Sequence, residues 1–268
     1  MGTRNPGITS PFVNISGNEN TGPSVTSAIL FDFGQTLADS SEGFRTAEKE
    51  AQEKLAQRLA PLPRDNFLSV YRSCRKAFQD RSDFSRPAMW AAVCRNFGVE
   101  PEKILLDAME SDYWKTVEAQ TVLFPETARI LAGLTPRYRL ALITNTQGEI
   151  GTVKHRIECF PALKDVFSVT IVAGGESGVP SKPDPIPFRL CLERLGMTPR
   201  EALFVGDDWR IDICGALNVG IQPIWIRHRL VQRTWPAADR PVPTIESLDR
   251  LLDVEELLRS WEEEALQP

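Results

Sequence analysis

Five places in this chain carry groups that could do chemistry together: Asp32, Thr144 with Asn145, Lys182, Asp207 and Asp212. Singly, each has an ordinary reading. An aspartate after a strand caps a helix or starts a turn, and a lone lysine is solvated. Together they suggest phosphoryl transfer. Carboxylates such as Asp32 form aspartyl-phosphate intermediates. A carboxylate approaching a phosphate dianion meets like-charge repulsion, and a hard cation such as Mg²⁺, held through one or two carboxylates, removes it. Asp32, Asp207 and Asp212 can supply those oxygens. Lys182 adds a fixed cation, and Thr144 and Asn145, with nearby backbone N–H groups, can receive phosphate oxygens. With only two histidines in the chain, chemistry resting on a histidine base or a histidine-rich metal site is poorly supplied.

The elements that must position these groups follow from hydrophobic periodicity. The run Ala28, Ile29, Leu30, Phe31 reads as a buried strand delivering Asp32 to its C-terminal end. From 40 to 119 the spacing is helical. Phe44, Ala47, Ala51, Leu55 and Leu59 form one stripe, and three more follow before Ala119, which predicts a four-helix bundle. Beyond Pro125, helices over 125–134, 148–158, 185–195 and 210–218 alternate with strands over 139–145, 166–172, 202–207 and 221–226. A last amphipathic helix is expected over 245–263. The fold class is therefore α/β: a Rossmann-like parallel sheet (27–39 and 120–268) with an inserted all-α cap (40–119). Residues 1–26, rich in Gly, Pro, Ser, Asn and Thr, read as a flexible arm. Ligands of open α/β sheets bind beyond the strands' C-terminal ends. An insertion after the first strand sits over that place and can act as a lid.

Composition narrows the partners. The net charge of −5 leaves no basic surplus for a nucleic-acid backbone or an anionic membrane. No apolar run approaches the roughly 18 residues of a spanning helix. The first residues lack the apolar core of a secretion signal, and five cysteines without a C-x-x-C pair suit a reducing cytoplasm. The expected partner is a small phosphorylated metabolite, and the oligomeric state is left open.

The same residues resemble the four motifs of the haloacid dehalogenase superfamily, in its capped subfamily I. The first, usually D-x-D-x-T, stands as Asp32, Phe33, Gly34, Gln35, Thr36. The second is the strand ending in Thr144 and Asn145, and the third is Lys182 between Ser181 and Pro183. The fourth runs from Gly206 and Asp207 to Asp212, with Gly215, Ala216 and Gly220 beyond. The resemblance covers about 27–230. It implies catalytic roles for Asp32, Thr144 and Lys182, and phosphate contacts from Thr144, Asn145 and Lys182. It also implies a Mg²⁺ site of Asp32, Asp207, Asp212 and the main-chain carbonyl of Gly34.

One position departs. The family's phosphatases carry an acid–base aspartate two residues after the nucleophile, and here it is Gly34, which transfers no proton. Asp39 is a substitute acid on paper. Haloacid dehalogenases also lack that aspartate, but they lose the fourth motif too, which is intact here. Phosphonoacetaldehyde hydrolases lack it and keep Mg²⁺, using a cap lysine for an imine; Lys49, Lys54, Lys76, Lys103 and Lys115 lie in the insertion. Three readings stay open: a Mg²⁺ phosphatase, such a C–P hydrolase, and a catalytically weak phosphate-binding scaffold. Arg45 near the first junction, and Trp209 with Arg210 beside the fourth motif, are candidates to line the pocket.

Overall fold

A computed structural model describes residues 26–146 without 60, 62 and 82, residues 156–174 without 164, and residues 178–265. The arm expected over 1–26 falls outside them except for its last residue. So does most of the helix expected over 148–158, whose end is a 3₁₀ turn, Arg156–Cys159.

Six parallel strands form one sheet in the order β5 (Val169–Ala173), β4 (Arg139–Asn145), β1 (Ala28–Phe31), β6 (Ala202–Gly206), β7 (Gln222–Ile226), β8 (Thr244–Ile245). The period-2 alternation of the strands sorts the core into two layers. Ile29, Phe31, Leu142 and Val205 face α5 (Thr127–Leu134) and α8 (Val254–Ala265). Leu30, Ile143 and Phe204 face α6 (Pro185–Leu195) and α7 (Cys214–Asn218). Because β1 is central, with β4 on one side and β6 on the other, the chain changes direction across the sheet there. The crevice of such folds opens at that point.

After β1 the chain turns tightly through 33–37 and enters β2 (Ala38–Asp39). The insertion follows as four helices: α1 (Ser41–Arg58), α2 (Arg64–Asp80), α3 (Arg86–Asn96) and α4 (Lys103–Ala119). They enclose their own core, in which Trp90 and Tyr71 are fully buried and the indole N–H donates to the phenol oxygen. Gly43 lets α1 approach α4 closely, since a Cβ there would stand 2.8 Å from the Val117 carbonyl. The chain returns as β3 (Val122–Leu123), antiparallel to β2, with Ala38 opposite Leu123. This two-strand stalk is fastened at its foot. The Phe124 N–H and the Thr127 hydroxyl both donate to the Leu37 carbonyl.

Below the stalk, His228 stacks on Phe124 with ring centroids 3.5 Å apart. Its Nδ1 accepts the Leu230 N–H, so Nε2 carries the proton and donates to Glu126 at 3.1 Å. Ser247 donates to the same carboxylate oxygen. Burial lowers the His228 pKa, consistent with a neutral, structural imidazole.

The C-terminal region differs from expectation. In place of one helix over 245–263 there are β8, a 3₁₀ segment Leu248–Asp253 and α8. Thr244 and Ile245 are drawn into the sheet by main-chain pairing with β7, and Ser247 caps the 3₁₀ segment through the Asp249 N–H.

Candidate active site

The strand ends converge. Asp32 leaves β1 with its N–H bonded to the Val205 carbonyl of β6, which holds it at the centre of the sheet edge. Thr144 and Asn145 close β4 and are buried. The Lys182 ammonium is only 1% exposed, and it bridges Asp32 Oδ1 and Asp212 Oδ1 at 2.7 Å each. Burial works against its charge, yet Asp212 and Asp32 raise its pKa and keep it protonated. Carboxylate oxygens of Asp32, Asp207 and Asp212 lie within 4.8 Å of one another.

The loop after β6 is built for this. Gly206 admits Asp212 at close range, because a Cβ there would meet the aspartate's Cβ at 2.5 Å. A π-helical turn, Trp209–Ile213, then returns Asp212 toward the strand end, where its Oδ2 accepts the Asp208 N–H. Such single π turns recur at functional sites. Asp208 itself is the N-cap, accepting the Ile211 N–H. Burial raises the Asp207 pKa well above the carboxylate range, with Asp212 and Asp32 adding to the shift and Arg233 opposing it. Burial likewise raises Asp212 to about 7, against the pull of Lys182.

These groups form the floor of a cavity of about 750 Å³, roofed by the helical insertion. Asp32, Gly34, Thr144, Asn145, Lys182, Asp207 and Asp212 all line it. Asn145 makes a specific contact there. Its amide donates to the Lys182 carbonyl and accepts the Lys182 N–H, which fixes the lysine loop against β4.

Other candidates fall elsewhere. Asp39 accepts the Ser41 N–H at the start of α1 and does not line the cavity. Trp209 is buried against Trp225, so it belongs to the core, and Arg210 does not reach the cavity. Arg45 lines the cavity and pairs with Glu42. Of the five insertion lysines only Lys49 reaches it; Lys54, Lys76, Lys103 and Lys115 pair with surface aspartates.

Sequence reasoning missed Arg233. From the segment after β7 its guanidinium donates to the Asp207 carbonyl at 2.7 Å, lies 2.8 Å from Asp207 Oδ2 and stacks over Trp235. The Trp225 indole donates to the same carbonyl. An arginine in an irregular segment carries no spacing signal, so only its basic neighbourhood, Arg227 to Arg233, hinted at it.

Comparison with known proteins shows the family. The model of the haloacid dehalogenase-like hydrolases matches residues 26–220. Glyceraldehyde 3-phosphate phosphatase of Methanopyrus kandleri is 30% identical over 232 residues, covering 85% of this chain and 96% of that protein. Phosphoglycolate phosphatase of Salmonella typhi is 31% identical over 209 residues, 75% of this chain and 81% of that one. Among solved structures, a 2-haloacid dehalogenase from Pseudomonas syringae aligns with TM-score 0.59 and 25% identity, covering 88% of this chain and all of that one. A family match over most of the chain, and relatives similar along nearly their whole lengths, place this protein among the haloacid dehalogenase-like hydrolases.

Proposed function

We propose that this hydrolase is a Mg²⁺-dependent phosphatase of small phosphorylated metabolites, working through an aspartyl-phosphate on Asp32. One observation carries the reading: three buried carboxylates gathered within 4.8 Å at the floor of a cavity, with one buried lysine to offset them. Among the described residues, three carboxylates exceed the Lys182 ammonium and the Arg233 guanidinium, and burial disfavours the charged forms of Asp207 and Asp212. A hard divalent ion fits that donor set. Asp32, Asp207 and Asp212 would hold it, with the Gly34 carbonyl as a further oxygen. When bound, such an ion withdraws charge from the phosphoryl oxygens.

The remaining work belongs to the chain. The Asp32 carboxylate attacks phosphorus, the bond to the leaving oxygen breaks, and water later cleaves the acyl phosphate. Lys182 holds the Asp32 carboxylate in position through its hydrogen bond, and Asn145 acts by holding the Lys182 main chain. Thr144 donates to a phosphoryl oxygen. Two carboxylates retained after β6 favour this chemistry over halide displacement. The phosphatase names of the relatives support the same class. Turnover of a panel of phosphate monoesters with and without Mg²⁺ tests the proposal. A rate that survives chelation, or no rate on any ester, overturns it.

One observation favours a second reading. Lys49 stands on the cavity wall while Gly34 replaces the acid, as a C–P hydrolase working through a lysine imine requires. Borohydride trapping on Lys49 with phosphonoacetaldehyde would establish it, and absence of both trapping and turnover rejects it.

A further inference from the structure

The helical wall of the cavity is cationic in a way the floor chemistry does not use. Lys49 (α1), Arg75 (α2) and Arg86 (α3) converge on it from three helices, beside Arg45, which pairs with Glu42; among the described residues one wall carboxylate, Glu48, stands against them. Two of the cations are held in place. Arg75 Nη1 lies 3.2 Å from Glu48 Oε1. Arg86 rests on an aromatic shelf, its guanidinium carbon 4.3 Å from the Tyr113 ring centroid and 5.0 Å from that of Trp114. Like charges gathered in a concave site repel one another unless an anion joins them. A guanidinium is a planar fork of N–H donors whose geometry matches carboxylate and phosphate oxygens, and stacking or a carboxylate partner pre-organises it.

A transferred phosphoryl group is provided for at the floor, beside Asp32, Thr144 and Lys182. The cavity, at about 750 Å³, has room for much more than that group. The wall lies on the other side, where the leaving portion of a substrate would extend.

We propose that Lys49, Arg75 and Arg86 form a second anion subsite, so that the preferred substrates are phosphate monoesters with another anionic group, carboxylate or phosphate, on the leaving portion. The proposal rests on the phosphatase reading above and names its substrate class.

The test compares esters matched except for tail charge, in Mg²⁺. These are 2-phosphoglycolate against ethyl phosphate, 6-phosphogluconate against sorbitol 6-phosphate, and fructose 1,6-bisphosphate against fructose 6-phosphate. The first two pairs probe a carboxylate and the third a second phosphate. At least one pair should favour the anionic member by about tenfold or more in kcat/KM, chiefly through KM. Arg75→Gln, and separately Lys49→Gln, should bring that ratio toward one. Arg75 is half exposed and Lys49 exposed, so neither change empties a core. Calorimetric binding of the same esters to Asp32→Asn protein gives a readout that needs no turnover.

If the esters turn over but paired members behave alike, the subsite is wrong and the phosphatase reading stands. If no ester turns over yet the anionic members bind about tenfold tighter, the subsite stands and the phosphatase reading falls. Should Arg75→Gln depress both members of a pair equally, the wall grips the transferred phosphate instead, and the proposal is overturned.

Discussion

The ammonium of Lys182 lies 2.7 Å from Asp32 Oδ1, although 150 positions separate the two residues. The contact joins the end of the central strand to the loop between β5 and α6, and it is anchored twice more, by Asp212 on the ammonium and by Asn145 on the lysine main chain. The residue proposed to attack is thus aimed by a network and not by its own backbone alone.

Asp32→Asn should abolish turnover and leave the fold intact. The amide is nearly isosteric, but it is a poor nucleophile and a poor cation ligand. The expected loss in kcat exceeds about 10³-fold, the scale seen when a nucleophile is removed. Steady-state rates with a far-ultraviolet dichroism control check it; a variant keeping more than a few per cent of the rate rules out the aspartyl-phosphate route.

Lys182→Met should be costly to the fold. It strands Asp32 and Asp212 in a buried site without their counter-charge, and breaking a buried pair in this way typically costs about 3–5 kcal/mol. Urea unfolding measures the loss. Because the stranded carboxylates still offer oxygens, added Mg²⁺ should recover more stability in the variant than in the parent protein. Equal recovery would argue against a cation site among these aspartates.

Metal affinity should rise with pH. Asp207 and Asp212 hold protons more tightly than ordinary carboxylates, Asp212 up to about 7, first because of burial and then because of neighbouring carboxylates, Asp212 and Asp32 for Asp207, Asp32 and Asp208 for Asp212. Binding a cation must displace those protons. Affinity is therefore expected to climb from pH 5 through about 7 and to flatten above. Calorimetry in buffers of different ionisation enthalpy would show the released protons. Folding linkage has the opposite sign in metal-free protein. The folded state binds more protons than the unfolded one in this window, so these groups contribute less stability as pH rises through it. A metal-free stability that climbs with pH on their account would contradict the assignment.

Gly34→Asp is expected to fold. A Cβ at this position meets nothing within 4 Å, and the backbone there is not in the left-handed region that favours glycine. The variant supplies the proton donor that the first motif lacks. General acid–base assistance is worth about 10²–10⁴-fold, and it matters most for leaving groups that cannot depart as anions. Alkyl phosphates should therefore gain more than aryl phosphates. Pre-steady-state phosphorylation across a leaving-group series decides. A flat dependence in the unsubstituted protein means that another group already provides the proton.

Much of the candidate site was legible because each strand-end carboxylate follows a short, wholly apolar run. Burial of Ala28–Phe31 and of Ala202–Gly206 leaves little choice about where Asp32 and Asp207 emerge. The insertion helices were legible through their stripes, as with Ala47, Ala51 and Leu55 on α1. What escaped is tertiary. β2, β3 and β8 are two residues each, too short for alternation to register, and exist through main-chain pairing with distant segments. Arg233 on Asp207 and Asn145 on Lys182 are contacts across the fold that no local pattern encodes. Trp209 sits beside the site in sequence, yet the apolar area of its ring is better spent against Trp225 than at the cavity.

The β2–β3 stalk makes the insertion separable. Its chain departs and returns as adjacent antiparallel strands, Ala38 against Leu123 and Asp39 against Val122. A tight turn could close that gap without disturbing the sheet, and a different bundle could be spliced between the same two strands. On the roles proposed above, the groups that react and the groups that would select sit in parts of the chain joined only through this stalk.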